Sequence, residues 1–212
     1  MKVRGIVFDL DGTLVDSFEA IARSVNAARA GLSLPPLPKA EITKHVGRGL
    51  HLLLGDLVGP DLADRAVVLY REDHARTYLG HTKPLPGALE TVRRLHEAGI
   101  RMSVASNKLS TFSRGILDHL GFGPYLTTVE GPDTAGATKP DPAMIGRCLS
   151  AMGVEAPEAI YVGDMPLDVE SARRAGVAVV LVATGAVAAE VLEATGAEVA
   201  ADLGTFARRV TR

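Results

Sequence analysis

The chain has 212 residues, of which 47% are hydrophobic, and a formal net charge of −2. These figures allow one compact hydrophobic core, and without a basic cluster they exclude nucleic acid and anionic membranes as expected partners. The single cysteine, Cys148, excludes an internal disulfide, and no apolar run reaches the roughly 20 residues that a membrane span requires. We therefore expect a cytoplasmic protein without an N-terminal leader, in which Cys148 lies in the core.

The first predicted element is a buried strand over residues 5–8, followed at once by the polar segment 9–13. Side chains two residues apart in an extended chain point the same way, so Asp9 and Asp11 should project together beyond the strand. Open α/β sheets bind ligands at that end. Because neighbouring carboxylates repel, the pair predicts either bound Mg²⁺ or one acid with a raised pKa. The alternative is a simple turn, in which Asp11 and Thr13 bond local backbone.

After residue 15 the strand signals stop and helical spacing takes over. The segments with apolar residues at helical spacing are 18–30, 39–57 and 61–79. Proline and glycine separate them, as expected for helix boundaries. They predict an all-helical domain over residues 16–83. It joins the rest of the chain by two short segments, at residues 16–17 and about 80–84, and such paired connections suggest a hinge.

Strands and helices alternate again from residue 84 onward. The predicted elements here are a helix over 88–98, strands over 100–105, 159–162 and 177–182, and a C-terminal helix. Alternation of this kind predicts an α/β fold with a parallel, doubly wound, Rossmann-like sheet and right-handed crossovers. The core would comprise residues 1–15 and 84–212.

Polar residues also follow the later strands of the predicted sheet. Residues 106–108 (Ser-Asn-Lys) come after one strand, and Asp164 with Asp168 comes after another. Lys139 lies between them, in a proline-rich segment ahead of a predicted helix. Each group has an ordinary alternative. The serine and asparagine could form a turn or a helix cap, the two aspartates could be an N-cap and a first-turn acid, and Lys139 could be a solvated surface lysine.

In this order, the Asp-x-Asp pair, the serine, the lysine and the final acidic pair resemble the four motifs of the haloacid dehalogenase superfamily. The resemblance covers nearly the whole chain and implies that the helical domain is a cap that closes over the active site. The second acid, Asp11, points to the phosphatase and phosphomutase branches rather than to the dehalogenases and phosphonatases, which lack an acid there. It therefore implies a Mg²⁺-dependent enzyme whose substrate is a small phosphate ester.

The resemblance also implies a role for each motif residue. Asp9 would attack phosphorus and form an aspartyl-phosphate, while Asp11 would protonate the leaving alkoxide and later take a proton from the attacking water. Mg²⁺ would be held by the Asp9 carboxylate, the Asp11 carbonyl and Asp164, with Asp168 as an orienting residue. The residues expected to bind the phosphate are Gly12, Thr13, Ser106, Asn107 and Lys139.

Two other classes of protein share parts of this pattern. A phosphoaspartate receiver module also combines an acidic pocket, a Ser or Thr and a Lys on a parallel sheet. It needs only ~120 residues and no helical insert, and its paired acids adjoin in sequence. A catalytically inactive binding protein of the same fold is disfavoured because every motif residue is present. Turnover of a small phosphoester with Mg²⁺ would distinguish the enzyme from both.

We expect the helical domain to select the substrate. Segments 46–50, 84–87 and 106–108 resemble the phosphoglycolate phosphatase group. This resemblance implies 2-phosphoglycolate as the substrate. Arg48 is the candidate for the substrate carboxylate, with a solvated arginine as the alternative, and the neighbouring His45 or His51 could serve instead. Pyrophosphatases, nucleotidases and sugar-phosphate phosphatases or phosphomutases share most of this framework. The sequence leaves the oligomeric state open.

Overall fold

A six-stranded sheet forms the centre of the computed structural model, which describes residues 3–210. The strands of the described residues are, in chain order, β1 (Gly5–Phe8), β2 (Val15–Asp16), β3 (Lys83–Pro84), β4 (Arg101–Ala105), β5 (Val129–Glu130), β6 (Ala159–Gly163), β7 (Ala178–Val182) and β8 (Glu198–Ala200). Of these, β2 and β3 lie outside the six-stranded sheet. The order across the sheet is β5-β4-β1-β6-β7-β8, and the strands pair in parallel. The predicted doubly wound α/β sheet is confirmed, although residues 1–2 and 211–212 of the predicted core lie outside the described part.

Helices cover both faces of this sheet. The α-helices of the described residues are, in chain order, α1 (Phe18–Gly31), α2 (Lys39–Thr43), α3 (Leu50–Val58), α4 (Ala63–Thr77), α5 (Ala88–Glu97), α6 (Ser110–His119), α7 (Pro132–Ala135), α8 (Ala143–Met152), α9 (Pro166–Arg174), α10 (Ala189–Glu193) and α11 (Leu203–Val210). Side chains of α5, α6 and α11 pack on one face, and those of α8 and α9 pack on the other. Within residues 3–210, no helix has both the length and the apolar character needed to cross a membrane.

The central strand β1 shows why the sheet is buried on both sides. Ile6 and Phe8 belong to one apolar cluster and Val7 to the other, because successive side chains of a strand point to opposite faces. All three side chains are fully buried. Cys148 lies in the same cluster as Val7, so its predicted place in the core is confirmed.

The helices between β2 and β3 have an apolar cluster of their own. It includes side chains from α1, α3 and α4, among them Val25, Leu54 and Tyr70. The strands β2 and β3 pair antiparallel, with Val15 opposite Pro84, so the predicted entry and exit of this helical segment form a narrow two-stranded ribbon. The ribbon is not part of the main sheet.

Segment 39–57 is not the single helix that its apolar spacing predicts. The helix α2 ends at Thr43 and α3 begins only at Leu50. Between them, Gly47 and Gly49 have φ angles of 108° and 99°, in the left-handed region that glycine adopts without a steric penalty. The two glycines therefore create a loop where the apolar pattern alone indicated a continuous helix. The edge strands β5 and β8 were also not predicted, because two or three residues are too few for a periodic signal.

Candidate active site

Three neighbouring strands of the sheet end at the same edge and present the predicted motif residues there. Asp9 follows β1, Ser106 follows β4 and Asp164 follows β6. The loop before α8 adds Lys139, whose side chain is almost completely buried. Residues up to 155 positions apart in the sequence are thus adjacent, as their places at strand ends predict.

Lys139 is the centre of a buried hydrogen-bonded network. Its Nζ lies 2.7 Å from Asp9 Oδ2 and 2.7 Å from Asp168 Oδ1, and it donates to the Tyr161 hydroxyl at 3.2 Å. The Tyr161 hydroxyl in turn lies 3.0 Å from the Ala105 carbonyl oxygen. Burial opposes the charged form of Lys139, but Asp168 and Asp9 outweigh that effect and hold its pKa well above the ordinary value. Lys139 is therefore a permanent positive charge with three fixed partners.

The Asp9 carboxylate is held in place from two sides. Its Oδ1 accepts a hydrogen bond of 2.7 Å from the Leu10 amide, and its Oδ2 contacts Lys139. Burial raises the pKa of Asp9 despite the opposing effect of Lys139, and the nearby Asp168 adds to the increase. One acid of the predicted pair thus has the raised pKa that the sequence indicated as one of two outcomes.

Asp164 is oriented by residues from distant parts of the chain. Its Oδ1 accepts a hydrogen bond of 2.9 Å from the Thr13 hydroxyl. A Cβ at Gly12 or at Gly185 would collide with the Asp164 carboxylate, so both glycines allow the backbone to approach it closely. Burial, with Asp168 and Asp9 nearby, holds the pKa of Asp164 well above its ordinary value. Thr13, predicted to bind phosphate, is itself fully buried and orients Asp164.

Three buried carboxylates form a group that fits a divalent cation. Oxygens of Asp9, Asp164 and Asp168 lie within 4.8 Å of one another, and Lys139 supplies a single positive charge against them. Asp168 is already engaged, because its Oδ2 accepts from the amides of Asp164 and Met165, each at 3.0 Å. Asp9 and Asp164 accept fewer hydrogen bonds than Asp168 among the described residues, so their oxygens keep more capacity to bind a cation. Excess negative charge and oxygen donors are the features that suit Mg²⁺.

Asp11 has different partners from the members of this acidic group. The Ser17 hydroxyl donates a hydrogen bond to Asp11 Oδ1, and Lys108 Nζ lies 3.0 Å from Asp11 Oδ2. Both Asp9 and Asp11 line the same cavity, as their two-residue spacing predicts. The Asp11 side chain is not among the clustered carboxylates of the described residues.

The serine and the asparagine after β4 differ in whether their side-chain hydrogen-bonding groups are available to a ligand. Ser106 lines the cavity, and among the described residues its Oγ has one contact, a long one of 3.5 Å from the Lys108 amide, so its hydroxyl hydrogen remains available. Asn107 has both ends of its side chain engaged. It accepts from the Lys139 amide at 2.7 Å and donates to the Gly47 carbonyl of the α2–α3 loop at 2.9 Å. Asn107 therefore links the helical segment to the backbone of Lys139.

A cavity of about 340 Å³ lies between the strand ends and the helical segment. Its wall is mainly apolar on the helical side, where it includes Ile21, Val46, Leu53 and Tyr70. At the floor are Asp9, Asp11, Ser106, Asn107 and Lys108. A small cavity with an apolar wall and a few convergent polar groups is typical of a site for a small molecule.

The residues of the helical segment that are predicted to bind the substrate differ in whether they line the cavity. Arg48 lines the cavity, but its side chain is 56% exposed and its Nη1 is 3.5 Å from Asp56 Oδ2. His45 is absent from the cavity wall among the described residues, and its Nδ1 lies 3.1 Å from the same Asp56 oxygen. His51 lines the cavity and contacts Asp64. The role of Arg48 and His45 stays a prediction.

Several residues of the site were not predicted from the sequence. They are Tyr161, Thr184, Gly185, Tyr70 and His74. The only signal available for Tyr161 is its place on β6, two residues before that strand ends. Thr184, whose hydroxyl donates to the Gly12 carbonyl at 2.7 Å, follows β7 and shares the strand-end position of the motifs.

His74 is a buried histidine on α4 in contact with both the helical segment and the core. Its Nδ1 is 3.1 Å from Ser24 Oγ, and its Nε2 has no hydrogen-bond partner among the described residues. The ring stacks on Tyr70 and meets Phe112 of α6 edge to face. Burial, reinforced by Lys108, lowers the pKa of His74 to about 3. The ring is therefore neutral in the folded protein at neutral pH.

This lowered pKa predicts a loss of stability in mild acid. Below pH ~6.5 the unfolded chain binds a proton at His74 that the folded chain does not, so the contribution decreases as the pH falls towards 3. At pH 5 the loss should be about 2 kcal/mol. In His74→Phe, the difference in unfolding free energy between pH 7.5 and 5 should change by that amount. Urea denaturation measures it, with the exposed His119→Phe as control; equal pH dependence in wild type and His74→Phe would contradict the prediction.

A family model for haloacid dehalogenase-like hydrolases matches residues 6–182. The chain belongs to the haloacid dehalogenase-like hydrolase family. The resemblance predicted from the motifs is confirmed, and so is the prediction that the chain is a hydrolase. The match begins within β1, ends with β7 and includes all of the motif residues.

Curated relatives and solved structures agree with the family assignment. A phosphoglycolate phosphatase of Aquifex aeolicus is 34% identical over 174 residues, which are 82% of this chain and 82% of the relative. A phosphoglycolate phosphatase of Rhodospirillum rubrum is 36% identical over 193 residues, 86% of this chain and 80% of the relative. The crystal structure of a predicted phosphatase from Clostridium acetobutylicum covers 99% of both chains with a TM-score of 0.90 at 23% identity, which shows the shared fold.

Proposed function

We propose that this hydrolase is a Mg²⁺-dependent phosphatase that acts through an aspartyl-phosphate on Asp9, with 2-phosphoglycolate as its substrate. The observation that carries the proposal is the position of Asp9. Its carboxylate lies on the cavity floor, fixed by Leu10 and Lys139, with Asp11 beside it and Asp164 within the same acidic group. The name of the curated relatives supports the substrate.

The first step would transfer the phosphoryl group to Asp9. A carboxylate oxygen of Asp9 attacks phosphorus, and the bond between phosphorus and the ester oxygen breaks. Asp11 gives its proton to that oxygen, so the alcohol leaves uncharged. Lys139 and the free hydroxyl hydrogen of Ser106 would stabilise the charge on the transferring group.

The second step would release phosphate. Asp11, now ionised, takes a proton from a water molecule as that water attacks phosphorus, and the bond to Asp9 breaks. Asp9, Asp164 and the carbonyl of Asp11 would hold Mg²⁺, which when bound supplies positive charge towards the phosphate oxygens. Asp168 would orient these ligands through its bonds to Lys139 and to the Asp164 amide.

We also propose that residues 16–83 form a cap domain over a core of residues 1–15 and 84–212. Two contacts between the α2–α3 loop and the core support a cap that lies over the site. Asn107 donates to the Gly47 carbonyl, and a Cβ at Gly47 would collide with the Met165 sulfur. The ribbon of β2 and β3 is the connection about which the cap would move.

The experiment that tests the function is a comparison of substrates with and without metal. With Mg²⁺, the purified protein should hydrolyse 2-phosphoglycolate faster than pyrophosphate, a nucleoside monophosphate or a sugar phosphate. Removal of the metal by EDTA should reduce the rate to below about a hundredth, and added Mg²⁺ should restore it. Full activity in EDTA would contradict the metal requirement. A faster reaction with pyrophosphate or a nucleotide would reject 2-phosphoglycolate and leave the phosphatase in place.

A further inference from the structure

Lys108 is a cavity-lining cation whose capacity for hydrogen bonding is not used up. Its side chain is only 9% exposed, and its Nζ has one partner among the described residues, Asp11 Oδ2 at 3.0 Å. An ammonium group has three N–H donors. Two donors therefore remain for a ligand in the cavity, in a position where water reaches them poorly.

The other cations of the site are less suited to an anionic ligand. Lys139 already has three partners. Arg48 is more than half exposed and lies near Asp56, and Arg71 is exposed. A charge that is exposed to water binds an anion weakly, whereas a charge-assisted pair shielded from water is stronger. Lys108 is the cavity-lining cation of the described residues that is both shielded and incompletely paired.

The chemistry of the proposed substrate puts its carboxylate near Asp11, and the inference rests on that proposed function. Asp11 must reach the ester oxygen in order to protonate it. In a phosphorylated 2-hydroxy acid, the carboxylate is attached to the carbon that bears this oxygen. A cation in contact with Asp11 is therefore also near the carboxylate. The apolar side chains of the wall cannot pair with such a carboxylate, and an unpaired buried charge is costly.

We infer that Lys108 binds the carboxylate of the substrate and so selects phosphate esters of small 2-hydroxy acids over neutral alkyl phosphates. Ser17 makes this compatible with catalysis. Because its hydroxyl bonds to Asp11 Oδ1, Asp11 keeps one fixed partner when Lys108 turns part of its ammonium towards the substrate. Lys108 rather than Arg48 is then the residue that determines specificity.

The test measures binding of two analogues, one with a carboxylate and one with a methyl group in its place. With Mg²⁺ present, 3-phosphonopropionate replaces the ester oxygen of 2-phosphoglycolate by a methylene, and propylphosphonate lacks the carboxylate. The wild type should bind 3-phosphonopropionate about ten- to a hundredfold more tightly. Lys108→Met should lose this preference, while Lys108→Arg should retain most of it. Arg48→Met, which removes the other candidate cation, should keep it.

The outcomes separate the inference from the proposed function. A preference that survives in folded Lys108→Met, or that disappears in Arg48→Met instead, would overturn the role of Lys108. Equal binding of both analogues by the wild type would overturn carboxylate selection altogether. Turnover of phosphate esters is measured separately, so its failure would reject the proposed function whether or not the binding preference is observed.

Discussion

Asp9→Asn should reduce the turnover of phosphate esters about 10⁴-fold or more and leave the fold intact. An amide has nearly the same shape as a carboxylate but is a poor nucleophile. The variant should fold because Lys139 keeps Asp168 and Tyr161 as partners, and because the amide oxygen can still accept from Leu10. Initial rates with 2-phosphoglycolate and Mg²⁺, together with a thermal unfolding curve, measure both effects.

A matched substitution separates the loss of a nucleophile from the loss of a negative charge. Asp118→Asn makes the same chemical change at an exposed position of α6 and should have the rate of the wild type. When 2-phosphoglycolate labelled with ³²P in its phosphate group is the substrate, the label should become attached to the wild-type chain and not to Asp9→Asn. A folded Asp9→Asn protein with an unchanged rate would remove the covalent role of Asp9.

The place of the site could be predicted because each motif follows an apolar strand directly. In a parallel sheet the carboxyl ends of the strands share one edge, so Asp9, Ser106 and Asp164 had to meet there once the strands were recognised. The helical segment could be recognised from spacing, since its residues 16–83 lack strand signals. The order of the motifs and the periodicity of apolar residues were therefore enough to predict where the site and the helical segment lie.

The partners of the motif residues could not be predicted in the same way. Thr13 bonds to Asp164, and Asn107 bonds to both Gly47 and Lys139. These contacts depend on how loops pack against one another, and periodicity contains no information about that packing. The phosphate-binding roles of Thr13 and Asn107 stay predictions, and these contacts with other groups of the site are what the sequence did not indicate.

Lys139→Met should impair both stability and catalysis, because Lys139 is the cation that contacts Asp9 and Asp168. Removal of one partner from a buried ionic network leaves uncompensated charge and costs about 3–5 kcal/mol. The value of kcat/KM should fall about 10²- to 10³-fold, since the positive charge next to Asp9 is lost in the transition state. Urea denaturation and steady-state kinetics measure the two effects.

A second substitution distinguishes unpaired charge from lost packing. In Lys139→Met/Asp168→Asn, one unpaired acid is removed, while the amide oxygen introduced at position 168 can still accept from the Asp164 and Met165 amides. Stability should therefore recover in part, but kcat/KM should stay low because the charge beside Asp9 is still missing. Mg²⁺ should also stabilise Lys139→Met more than the wild type, because three carboxylates then lack a cation. If the double variant were less stable than Lys139→Met, packing rather than unpaired charge would account for the loss.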